Sequence, residues 1–243
     1  MTLATFARLN NADKNNAYAA RIRYVKTIAK ALAISCIILS FISFAGYFLQ
    51  IPQLYRPIAD GAATHPLTAI CVVFVSTSIF FQHKKHFPKL VAVLAVLAFL
   101  ITLLVILDSI INTHFALFIT PFLSTLTVEQ NSNLSNSMGV NTAIMLACLA
   151  IALIFGNNGR SVLSQLFSFI AMAVPMLSII GYAYDIDGFF GNMSILTTTY
   201  GIFLSISALC IYAQSGAVRA LLSPHIGGTI ARFQVVLGYF VPI

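Results

Sequence analysis

Apolar runs of roughly twenty residues alternate with short polar segments along this chain. They fall at about 29–49, 66–82, 89–112, 139–156, 161–184 and 194–214. A hydrocarbon layer about 30 Å thick takes roughly 20 helical residues, so each run suits one membrane crossing, some tilted or slightly short. A seventh run starts near Ala231 and meets the end of the sequence at Ile243. From Arg232 onward it rises only about 17 Å, so it reads as the truncated start of a helix belonging to a longer protein. The pattern predicts an all-α integral membrane bundle of three up-down transmembrane hairpins plus a truncated seventh helix. Residues 1–28 form a basic cytoplasmic segment, and 29–243 the transmembrane domain. The polar head is too long, and the first run too wide, for a cleaved secretory signal.

Composition strengthens this picture. The chain is 59% hydrophobic and 8% charged, with a mean hydropathy of +0.94. A soluble domain carries about 25% charged residues, so this one could not clothe a soluble core. Of 13 Lys and Arg, all but Arg56 lie in segments on the same side as the N-terminus. That asymmetry places the N-terminus in the cytoplasm. It also explains the net charge of +7 without nucleic acid as a partner. Trp is absent, so the nine Tyr serve as interfacial anchors.

The runs resemble one another. The second, fourth and sixth begin with Thr68, Thr142 and Thr197 in one register, each followed by small residues. The first and fifth end alike, as Ser43-Phe-Ala-Gly46-Tyr47 and Ser178-Ile-Ile-Gly181-Tyr182. A Thr near a helix start can satisfy free backbone N–H groups, and small residues let membrane helices approach closely. Pro175 interrupts the fifth run and predicts a kink there.

Few residues offer chemistry. Asp108 is the one ionisable residue well inside a run, near its outer end. It is either a functional carboxylate or a cap that reaches the interface. His65 and His114 flank the outer ends of the second and third runs, where a bis-histidine haem site is the lesser reading and loop histidines the greater. Tyr47, Tyr182 and Tyr184 belong to an aromatic-rich outer face that forms either an interfacial belt or the wall of a ligand pocket. His83 and His86, with Lys84 and Lys85, suit lipid headgroups better than a metal. Asp185 and Asp187 form an outer turn, and His225 carries no specific signal. Cys36, Cys71, Cys148 and Cys210 sit singly in apolar runs and read as small packing residues. No cofactor or metal is expected, and no catalytic motif occurs.

The stretches "SMGVNTAIMLACLAIALIFG" and "LSIIGYAYDIDGFFGNMSILTTTYGIFLSISALCIYAQSGAVRALLSPHIGGTIAR" resemble the N-terminal multi-helix membrane module of bacterial sensor histidine kinases and diguanylate cyclases. The resemblance covers about 137–243. It rests on the Met-x-x-x-Thr-Ala helix start, the Gly-Tyr-x-Tyr helix end and the basic loop. It implies a homodimeric sensory input module, detecting an external or membrane-dissolved ligand and relaying helix motion to a cytoplasmic output domain. No kinase phosphoacceptor or GGDEF run is present. The alternative is a small multi-pass transporter or channel, for which Asp108 and Pro175 would suit a gated path.

Overall fold

A computed structural model describes residues 3–59, 61–82, 87–132, 134–186, 189, 191–224 and 226–240. It is helical, with no strand among the described residues. In chain order the helices are α1 (Leu3–Leu49), α2 (Pro66–Gln82), α3 (Pro88–Ile111), α4 (Phe115–Phe118) and α5 (Leu123–Asn131). They continue with α6 (Val140–Asn157), α7 (Ser161–Tyr184), α8 (Ile195–Ile211), α9 (Gly216–Leu222) and α10 (Ile226–Phe240). The polar head and the first apolar run form one unbroken helix, α1, because neither Gly nor Pro occurs before Gly46.

Four helices are long and apolar enough to cross a membrane: α1 from Tyr18, α3, α6 and α7. A fifth span arises if α8 and α9, bent by 86° at the break between them, count as one. At 17 residues, α2 rises about 26 Å, just under the hydrocarbon thickness. The outer helices leave large apolar side chains uncovered along their length. Examples are Ile34, Ile38 and Phe41 on α1, Val93, Leu97 and Leu100 on α3, and Val162, Leu166 and Ile170 on α7. A soluble monomer rarely exposes such faces, and hydrocarbon is the solvent that suits them.

Packing divides the six long helices into two layers. Helices α2, α6 and α8 touch one another at the centre. Around them, α1 packs on α2 and α8, α3 on α2 and α6, and α7 on α6 and α8. Each outer helix therefore fills the groove between two inner ones.

One spacing recurs in all three outer helices. Their buried residues include Ala29, Ala33, Cys36, Ser40 and Ser43 on α1, and Val91, Ala95, Ala98, Thr102 and Val105 on α3. On α7 they include Ser164, Ser168, Ala171, Pro175 and Ser178. Steps of four and three alternate, which keeps one seam against the neighbours, and most members are small enough to bring backbones close. The inner helices repeat as well. Thr68, Cys71, Val75 and Ile79 on α2 match Thr142, Met145, Leu149 and Leu153 on α6, and Thr197, Tyr200, Leu204 and Ala208 on α8. Pro175 thus belongs to a packing seam, where its ring lies against the Cα of Gly201; α7 runs through it without a break.

The outer helices also end alike. Ile51, Thr113 and Ile186 donate their N–H groups to the carbonyls of Gly46, Asp108 and Gly181, five residues earlier. Between them Gln50, Asn112 and Asp185 take left-handed backbone, with φ of 56°, 58° and 55°. This is a Schellman closure. Asn and Asp tolerate that conformation, whereas Gln gains nothing from it. Gln50→Gly is therefore expected to stabilise the chain by about 0.5–1 kcal/mol. A denaturation midpoint in detergent that stays level or falls would refute this.

At the opposite end, Gln165 is fully buried at the α8–α9 bend. Its amide donates to the carbonyls of Tyr212 and Ser215 at 3.0 and 2.8 Å and accepts from the N–H of Ala217 at 2.8 Å. Gly216, at φ +58°, sits against it, and a Cβ there would collide with the Gln165 amide oxygen. The seventh apolar run becomes α10, which begins at Ile226 and packs on α9.

Candidate functional site

The ends of α1, α3 and α7 meet the starts of α2, α6 and α8 at one end of the bundle. There Tyr182 donates to the Met193 carbonyl at 2.6 Å, and Tyr47 to that of Thr64 at 2.8 Å. Segment 112–139, which carries α4 and α5, lies over this end. Beneath it opens a cleft of about 820 Å³. That is the size of a small-molecule site. His65, Asp108 and His114, separate in sequence, all line it, beside Asn112, Gln130 and Asn136.

Asp108 and His65 each have a defined local role. Asp108 occupies the position in α3 that Gly46 and Gly181 hold in α1 and α7. Its carboxylate turns back over the helix end, accepting from Thr113 Oγ1 at 2.7 Å and from the N–H groups of Phe115 and Ala116 at 3.1 and 2.6 Å. It therefore fastens α4 onto α3. His65 stands immediately before α2 and is 6% exposed. Its Nδ1 accepts from the Leu67 N–H at 3.3 Å, which places the proton of the neutral ring on Nε2. Burial pushes its pKa down to about 4. His114 is exposed at the start of α4.

Tyr47 is neither an interfacial anchor nor a cleft wall. It is 2% exposed and stacks on Tyr55, with ring centroids 3.9 Å apart, and on Phe122 at 5.5 Å. Tyr182 is tied to the α7–α8 turn, and Tyr184 is exposed. Neither tyrosine lines the cleft. Thr68, Thr142 and Thr197 are each the third residue of their helix and are buried. Capping falls to the residue three places earlier: the His65 ring, the bare backbone of Gly139, and Ser194, whose Oγ accepts from the Thr197 N–H at 3.1 Å. His83, Lys84, Lys85, His86, Asp187 and His225 lie outside the described residues.

Behind the cleft lies a polar core that was not anticipated. Arg56 Nη2 pairs with Glu129 Oε2 at 3.0 Å, with both side chains about 90% buried or more. It is the one ion pair among the described residues. Arg56 also donates to the carbonyls of Gly61 and of Ser135, the latter at 3.1 Å. Tyr55 donates to Glu129 Oε1 at 2.8 Å, and Asn136 bridges Glu129 to the Tyr47 hydroxyl. Burial, reinforced by the bond to Glu129, pushes the Tyr55 phenol well above its usual range, so it stays a donor. This network ties the α1–α2 loop to α5 and to the segment before α6, and so fixes the cleft's rear wall.

The arrangement can hold a small polar molecule against hydrogen-bonding groups. Among the described residues, no three His, Cys, Asp or Glu side chains gather in a way that could hold a metal ion. No family model, curated protein or solved structure matches this chain.

Proposed function

We propose that the chain is a membrane-embedded sensory input module of a bacterial signalling protein. The cleft at the outer end receives a small polar ligand, and occupancy shifts the packing of the helices beneath it. The cleft itself carries this reading. It is built from segments of three helix pairs, walled by hydrogen-bonding groups, and backed by a network that links two of those pairs. A ligand bridging His65 on α2, Asn112 after α3 and Asn136 before α6 binds one relative placement of the helices better than another, which is the requirement for a population shift.

The orientation belongs to the same proposal. Lys26, Lys89, Arg160 and Arg219 lie at the end where α2, α6 and α8 finish, while Asp108, Glu129 and Asp185 lie at the cleft end. By the positive-inside rule the basic end, with the N-terminus, is cytoplasmic, in three hairpins. The sequence resemblance to kinase and cyclase input modules points the same way and adds homodimerisation. The engagement of the Asp108 carboxylate by three local hydrogen bonds supports this reading over a transport path through Asp108 and Pro175.

The test is thermal unfolding of the detergent-solubilised chain against a panel of amino acids, amides, sugars and di- and tricarboxylates. A compound that raises the midpoint of the native chain, but not that of His65→Asn or Asn136→Ala, supports the cleft as the receptor site. A panel with no stabilising compound, or stabilisation unchanged in both variants, counts against it.

A further inference from the structure

At the basic end, a second pocket of about 470 Å³ opens between the N-terminal part of α1 and the α8–α9 bend. Arg23 and Lys26 of α1 face Arg219 of α9 across it, with Gln214 and Tyr18 completing the rim over Ile22. An apolar cluster holds the walls in place: Ile22, Met172, Leu209, Ala213 and Val218 are buried together, with Val25 and Leu222 packed on them. Three positive side chains thus converge on a fixed cavity.

Among the described residues, nothing acidic answers them. Of the six Asp and Glu in the sequence, Asp13 alone lies on this side of the first apolar run. Among the described residues, none of the three cations has an ion-pair partner. The Tyr18 hydroxyl is buried with no hydrogen-bond partner among the described residues. The pocket therefore presents three positive charges and a spare hydroxyl around a vacant polar demand, which an oxyanion satisfies.

Its depth indicates the source of that anion. Counting about 20 residues back from Leu49 crosses the hydrocarbon core and arrives near residue 29. Lys26 then lies about 5 Å further out, within the headgroup layer, which is about 5–7 Å deep on each side, and Arg23 about 9 Å out, at that layer's aqueous edge. The neighbouring helix, α9, is turned by 86° from α8. It carries Arg219 across the end of the bundle at that same level. The apolar floor suits the glycerol backbone of a lipid entering from the side.

We infer that this pocket binds the phosphate of an anionic phospholipid, held by Arg23, Lys26 and Arg219. Each cation near an anionic membrane surface contributes about fivefold to binding, so removing all three lowers affinity on the order of a hundredfold.

Native mass spectrometry of the full chain, titrated with phosphatidylglycerol in a phosphatidylcholine background, tests it. The native chain is expected to retain phosphatidylglycerol. The Arg23→Gln/Lys26→Gln/Arg219→Gln variant is expected to lose it, as is Arg219→Glu alone, which changes one exposed residue. A control that removes equal charge at the same end, Arg21→Gln/Lys30→Gln/Arg160→Gln, is expected to stay within about threefold of the native chain. Equal losses in the pocket variant and the control overturn the inference, since general charge would then account for retention. Binding of glycerol 1-phosphate or inorganic phosphate as tight as that of the lipid, and lost in the same variants, overturns the lipid assignment in favour of a soluble phosphate ester.

Discussion

Glu129→Ala is expected to destabilise the chain by about 3–5 kcal/mol, the usual consequence of stranding one member of a buried ion pair. Arg56 would keep its charge inside a nearly dry loop core, and Tyr55 and Asn136 would lose their acceptor at the same stroke. Changing both partners to apolar residues, Arg56→Leu/Glu129→Leu, removes the stranded charge and should recover more than half of that loss. The measurement is the unfolding midpoint in detergent for the two single variants and the double. A double variant as unstable as the sum of the singles would show that the pair is not coupled. Because α5 is tied to the α1–α2 loop largely through this pair, Glu129→Ala should also raise hydrogen exchange over Leu123–Asn131.

That network shows where sequence reading stopped. The helices themselves were legible because hydrocarbon demands continuous apolar runs, and α2 and α7 fall on their predicted bounds. The Thr register was legible too, since each Thr marks the same turn of an inner helix. The third Schellman closure was not, because Asp108 stands where α1 and α7 have Gly and shares none of their chemistry. Read alone, it looked like an isolated membrane carboxylate. The pairing of Arg56 with Glu129 was hidden differently: the two lie 73 positions apart, in loops with no periodicity. One signal was available. Arg56 is the lone basic residue on its side of the chain, and Glu129 the lone acid of a loop without Lys or Arg. A lone base on one side of a membrane protein invites pairing with an acid there, although Asp60, four residues on in the same loop, is the nearer candidate by sequence. Gln165 gave no comparable sign, since a single amide in an apolar run reads as tolerated until the bend it holds is seen.

Acidification should destabilise the chain through His65. Its ring takes up a proton near pH 4 in the folded chain but near its ordinary 6.5 when unfolded. Between those values the unfolded state binds a proton that the folded state refuses. Stability is therefore complete above about pH 6.5 and declines as pH falls toward 4, by about 3 kcal/mol over that window. Of the other titratable groups lining the cleft, Asp108 is held by its three donors and His114 is exposed. Unfolding midpoints at pH 7 and pH 4.5, compared between the native chain and His65→Asn, isolate the contribution. Asn keeps a side-chain acceptor ahead of α2 and does not titrate. The native chain should lose stability steeply and His65→Asn much less; parallel declines would assign the acid sensitivity elsewhere.

The unbroken run of α1 has a mechanical consequence. Tyr47, in the polar core behind the cleft, and Arg23, in the basic pocket, lie on one rigid rod about 36 Å apart. A seam of Ala, Cys and Ser side chains lies between them. Such a seam has few interlocking knobs to resist sliding, so it can act as a fulcrum. Tilting the rod by about 5° about its midpoint carries each end about 1.6 Å in opposite directions. A change at one face of the membrane would thus arrive at the other as leverage, with no joint in between to absorb it.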